Sequence, residues 1–159
     1  GGFPADLAPN SETPLGGEDT HVAWTVIRRG WKTRFCPEAL VNHAVFPASP
    51  WRWLFLWQLF GFPRLTRGFP EIRRFMTCGY FLDRGHALLA LALLGILGAV
   101  AQPWLLVLCL PYCWLRASEP TRSMRGVLRL LRVAPYFVRD LLSFLILLAG
   151  SLRFRSLLL

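Results

Sequence analysis

The first seventeen residues show no hydrophobic periodicity and are rich in Gly, Pro, Ser and Asn, the composition of a long loop. From there Val22, Ala23, Val26 and Ile27 recur at helical spacing, Asp19 or Thr20 can cap the start, and Gly30 can sit just past the end. A short amphipathic helix is predicted. Trp31, Thr33 and Phe35 then alternate with Lys32 and Arg34, which predicts a strand; Pro37-Glu38 turns the chain, and residues 40–45 predict a second strand. One helix and two strands are too little to close a core.

The pattern changes at residue 49. Residues 49–62, Ser-Pro-Trp-Arg-Trp-Leu-Phe-Leu-Trp-Gln-Leu-Phe-Gly-Phe, open on a cap and a proline at the first helical position, are apolar on nearly every side and carry three Trp. Indole rings favour the headgroup level of a bilayer, so an interfacial helix is predicted, with a buried helix of a soluble core as the alternative. Residues 87–115 form a run of 29 without a charged side chain, interrupted by Gln102-Pro103. Each half is short for a hydrocarbon layer of roughly 30 Å, and the whole is longer than one span requires. Arginines crowd both flanks (Arg73, Arg74 and Arg84 before; Arg116, Arg122 and Arg125 after), which favours a hairpin with both ends on the cytoplasmic side over one kinked span. Beyond it Arg122, Arg125, Arg129, Arg132 and Arg139 fall on one helical face, predicting a basic amphipathic helix kinked or broken at Pro135. The apolar stretch 141–150 is too short to span alone. Four regions follow: 1–47, 48–85 (aromatic helix and basic linker), 86–116 (transmembrane or re-entrant hairpin) and 117–159 (basic membrane-surface helices).

Composition sharpens this picture. The 159 residues are 54% apolar, with a mean hydropathy of +0.41 and a formal charge of +9. Residues 1–43 hold four Lys/Arg against five Asp/Glu, and residues 44–159 hold fourteen against four, so the positive excess lies in the apolar part. Arginines beside long apolar runs fit anionic lipid headgroups, and nucleic acid is not an expected partner. Cys36, Cys78, Cys109 and Cys113 form no Cys-x-x-Cys pair, which argues against a zinc site or a disulfide framework. The chain opens on Gly1 with neither an initiator Met nor a signal-peptide pattern and reads as truncated.

The only acid pair placed for chemistry is Glu18-Asp19. Transfer of a glycosyl group to a hydroxyl needs a carboxylate within reach of that hydroxyl, and the unsatisfied N–H groups of a helix start favour the ionised form of Asp19. The bland alternative is a pair of helix-capping acids. Several elements in order bear on the choice: Gly-Gly-Phe at 1–3, Gly-Glu-Asp-Thr at 17–20, Ala23-Trp24, Arg29-Gly30-Trp31, Phe35, Pro37-Glu38-Ala39 and Val41-Asn42-His43. Together they resemble the acceptor-side half of a family 2 glycosyltransferase with a GT-A type fold.

That resemblance implies an α/β fragment, the C-terminal part of a nucleotide-diphospho-sugar transferase fold, followed by an α-helical membrane-associated region with a hairpin and interfacial helices. It implies Asp19 as the base, Glu18, Trp24 and Trp31 at the acceptor, and His43 as a ligand for Mn²⁺ or Mg²⁺. A strand histidine satisfied by backbone is the alternative for His43, and core packing the alternative for the two Trp. His21 and His86 have no metal-ligand partners at useful spacing and read as structural or interfacial.

The chain departs from the family where processive synthases carry Gln-x-x-Arg-Trp; here the stretch is Val26-Ile27-Arg28-Arg29-Gly30-Trp31. There is also no Asp-x-Asp for the donor, so residues 1–159 alone are expected to be inactive, with the donor half upstream of Gly1. The expected whole is a membrane-bound inverting enzyme. It would carry a sugar from a nucleotide-sugar to a hydroxyl acceptor, lipid-linked or of the cell envelope, at the cytoplasmic face of the cell membrane. The rival reading is a non-enzymatic membrane anchor or scaffold with a small cytoplasmic appendage.

Overall fold

A computed structural model describes residues 17–34, 36–40, 49–119 and 130–159. Six α-helices are present among them: α1 (Glu18–Arg28), α2 (Pro50–Leu54), α3 (Phe62–Gly68), α4 (Arg84–Gly98), α5 (Leu110–Ser118) and α6 (Val133–Phe154). Tighter 3₁₀ segments cover Trp57–Gly61, Pro70–Phe75 and Pro103–Cys109.

The expected α/β fragment is not formed. Helix accounts for 72% of the described residues, and no strand is present among them, only an isolated bridge between Thr77 and Phe81. Residues 31–34 are exposed and irregular despite their alternation. A strand's N–H and C=O groups need a neighbour to pair with, and a single alternating run of four residues supplies none. Most of the second predicted strand, with His43, lies outside the described residues, as do residues 1–16 of the first loop and residues 121–129 of the predicted basic helix.

Helix α6 is the spine of the fold. Its N-terminal half packs on the pair formed by α4 and the returning segment of residues 103–118 and on Trp53; its C-terminal half packs on residues 55–68. The pairing of α4 with the returning chain is antiparallel. Gly98 faces Leu105, Gly95 faces Leu105 and Leu108, Ala92 O accepts from Cys109 Sγ at 3.6 Å, and Gly85 meets Arg116. Glycine permits this approach, because a Cβ on Gly95 would stand 2.8 Å from the Leu105 carbonyl oxygen. The chain reverses at residues 99–102, at the Gln102-Pro103 interruption. Leu89, Ala92 and Tyr112 form the core of this half, with Val133, Phe137 and Phe144 of α6 against them.

The other half is built on Leu59, Ile146, Leu147 and Leu158. The aromatic stretch predicted as one helix is broken after Leu54, and the chain then follows α6 from Trp53 beside Tyr136 (ring centroids 5.6 Å apart) to Pro63 beside Gly150. Past Phe154 the tail turns at Arg155 (φ 51°) and tucks inward. Leu158 N–H bonds Ser151 Oγ at 2.9 Å, Leu159 N–H bonds the Tyr80 carbonyl at 2.8 Å, and Arg73 donates to the Leu157 carbonyl at 2.8 Å.

A polar network crosses the apolar interior. Asp140 of α6 accepts from Tyr112 Oη at 2.7 Å and from Arg116 Nη2 at 2.6 Å; Arg116 also pairs with Glu119, and Arg132 donates to the Glu119 carbonyl at 3.0 Å. Buried charges are costly unless paired in this way.

Residues 130–154, 25 in number, make the one helix among the described residues that is long and apolar enough to cross a membrane. It outruns the 141–150 stretch because Pro135 falls in its first turn, where no intrahelical N–H is lost. Leu94, Leu97, Val100, Trp104, Leu110 and Trp114 are exposed on the α4–α5 hairpin.

Candidate functional site

Gly17 precedes α1 in a left-handed conformation (φ 102°), a region costly for other residues, and Glu18 and Asp19 fill the first turn. Gly17 provides no side-chain cap, and the two acids part company. Glu18 is turned inward, its Oε2 buried without a hydrogen-bond partner, whereas Asp19 is exposed and has no partner among the described residues. Asp19 thus presents an open carboxylate at the positive end of an eleven-residue helix.

The rest of α1 lies on residues 62–75 through rings and cations. His21 packs edge-on against Phe69 at 5.1 Å, and the Arg28 guanidinium lies 4.4 Å over the same ring. Arg28 forms a two-pronged bond to Glu71, both contacts 2.7 Å, which holds the Glu71 carboxyl down at about 2. Trp24 sits between Phe69 and Phe75 (6.5 and 6.3 Å), with Arg74 above it at 5.6 Å. Trp24 is therefore part of the seat of α1. Trp31 is 69% exposed beyond the far end of the helix, whose axis from Asp19 to Arg28 runs about 14 Å. The structure does not gather Asp19, Trp24 and Trp31 around one point.

His43 lies outside the described residues. Among the described residues there is no group of three His, Cys, Asp or Glu side chains able to hold a metal ion. His86 is buried, with Nδ1 2.9 Å from Asp83 Oδ1, while Asp83 also caps α4 by accepting from His86 N–H at 2.9 Å. The His86 contact holds the Asp83 carboxyl down at about 2.

Two concavities escape the sequence. A cleft of about 460 Å³ opens where α1, α3 and the end of α6 meet, lined by His21, Arg64, Leu65, Arg67, Gly68 and Phe154. Among the described residues its lining holds two arginines and no carboxylate. A groove of about 260 Å³, lined among the described residues by apolar side chains including Phe55, Phe60, Leu145 and Ala149, runs between α6 and the aromatic segment. The i, i+3 spacing of Arg64 and Arg67 in the sequence puts them on one helical face; the fold of α1 over α3, which brings His21 to them, leaves no local signal.

Comparison with protein-family models, with curated proteins and with solved structures found no match for this chain.

Proposed function

We propose that this chain contributes the acceptor base and the membrane seat of a membrane-bound inverting glycosyltransferase, which moves a sugar from a nucleotide-sugar to a hydroxyl acceptor. The observation that carries the proposal is Asp19. It is an exposed carboxylate, without a protein partner among the described residues, on the first turn of a helix anchored to a helical body with an apolar exterior. The ordered resemblance around Gly-Glu-Asp-Thr supports the same role. In the transfer, the Asp19 carboxylate accepts the proton of the acceptor hydroxyl as the oxygen attacks the anomeric carbon and the nucleotide diphosphate leaves. Glu18 sits beside the reacting acid. A membrane-borne acceptor and a cytoplasmic site belong to the same proposal, because arginines crowd both flanks of the apolar hairpin. The described residues supply no metal site, so no step is assigned to Mn²⁺ or Mg²⁺.

The test is transfer of labelled sugar from a panel of nucleotide-sugars into lipid and envelope fractions by the native protein in its membrane. Asp19→Asn keeps size and polarity and removes the base, so turnover falls by about 10²–10⁴-fold with donor affinity little changed. Near-normal turnover would reduce the acid pair to helix-start residues. A native protein that transfers no sugar at all would favour a membrane scaffold, for which the exposed apolar hairpin is the supporting observation.

A further inference from the structure

We infer that the cleft at His21, Arg64 and Arg67 binds the phosphate of an anionic lipid whose hydrocarbon lies in the groove beside Phe60 and Ala149. The two concavities share a wall. Phe60 lines the groove, Phe154 lines the cleft, and their rings pack edge to face at 5.6 Å. One side of that pair is cationic and the other is apolar, which is the division of a phospholipid.

The chemistry of the cleft selects phosphate over other headgroups. Guanidinium groups match phosphate oxygens with paired N–H donors, and two of them beside an imidazole serve a terminal phosphate better than a single cation does. Arg67 is held in place by donating Nη1 to the Phe154 carbonyl at 3.1 Å. His21 is fixed from behind by the edge-on contact with Phe69 and by the turn of α1 in which Thr25 Oγ1 bonds the His21 carbonyl at 2.8 Å. The groove in turn offers only carbon surface, and its wall on α6 belongs to the helix long enough to cross a membrane. Phe55 and Trp57, stacked 6.2 Å apart, form the facing wall of the groove.

The full chain in neutral detergent, with ligands read by native mass spectrometry, tests this directly. Phosphatidate should be retained at least tenfold more tightly than phosphatidylcholine of the same acyl length. Combined Arg64→Gln and Arg67→Gln should weaken phosphatidate by about 10–100-fold, the loss expected for two charge-assisted contacts. Lysine at both positions should restore most of the binding, which separates lost charge from lost folding. Ala149→Trp, which fills the groove, should weaken phosphatidate about tenfold and leave inorganic phosphate unaffected. Equal retention of the two lipids, or unchanged binding in the double glutamine variant, overturns the site. Inorganic phosphate binding as tightly as phosphatidate, with Ala149→Trp silent, assigns the cleft to free phosphate and overturns the lipid. Binding is read here without sugar transfer. Intact phosphatidate binding in a protein that transfers no sugar would therefore sink the transferase reading alone.

Discussion

Removing Asp140 is the sharpest test of how the helical body is held together. Its carboxylate lies 2.6 Å from Arg116 Nη2, with side-chain exposures of 5% and 10%, and 2.7 Å from Tyr112 Oη. Asp140→Ala leaves the guanidinium with Glu119, whose side chain is 31% exposed, and leaves the tyrosine hydroxyl without its acceptor. Breaking a buried pair costs about 3–5 kcal/mol, and the surviving Glu119 contact sets the lower end. The orphaned hydroxyl adds about 1 kcal/mol. A loss of about 4 kcal/mol is a large share of a stability of about 5–15 kcal/mol. Denaturant titration of the micelle-held protein, followed by tryptophan fluorescence, measures it. The combined variant Arg116→Met, Asp140→Leu replaces both charges by carbon and should return to within about 1 kcal/mol of the parent or exceed it. A loss under 1 kcal/mol in Asp140→Ala, or a double variant as weak as the single one, would refute the reasoning.

Gly150→Ala should destabilise despite the better helix propensity of alanine, because the new Cβ would stand 2.4 Å from the Phe60 carbonyl oxygen; thermal unfolding should show a net loss of about 1–3 kcal/mol. The Asp83 carboxyl is held near 2 in the fold against 3.8 when free, so its contribution is complete above about pH 4 and fades as the pH falls toward 2. Asp83→Asn keeps a side-chain cap but removes the charge, so it should lower the stability above about pH 4 and flatten the profile between about pH 4 and 2 in acid titration. Cysteines placed at positions 84 and 118, with Cys36, Cys78, Cys109 and Cys113 replaced, should label from the same side of sealed vesicles. Opposite accessibility would show a chain that crosses between them.

Helix α1 was legible because its signals are local. Acids in the first turn, a 3.6-residue apolar repeat and Gly30 at φ 84° bound it on both ends. Alternation at Trp31 and Thr33 misled, since a strand depends on a partner that the alternation itself does not provide. The aromatic segment breaks at Phe55 and Leu56 where it must follow α6, with Gly150 admitting the Phe60 backbone, a tertiary constraint with no trace in its own composition. Asp19 could be singled out from its neighbours in the sequence. The cleft of His21, Arg64 and Arg67 could not, because its members lie on helices that meet only after folding.

The inward tail sets an order on folding. Arg73 reaches the Leu157 carbonyl across 84 positions of sequence, and Leu158, fully buried, completes the core that Leu59 and Leu147 begin. Contacts between such distant positions close late, after the entropy of the intervening loop has been overcome. During synthesis the core around Leu59 therefore stays open until residues 146–158 have left the ribosome, and this half is exposed to misassociation longest.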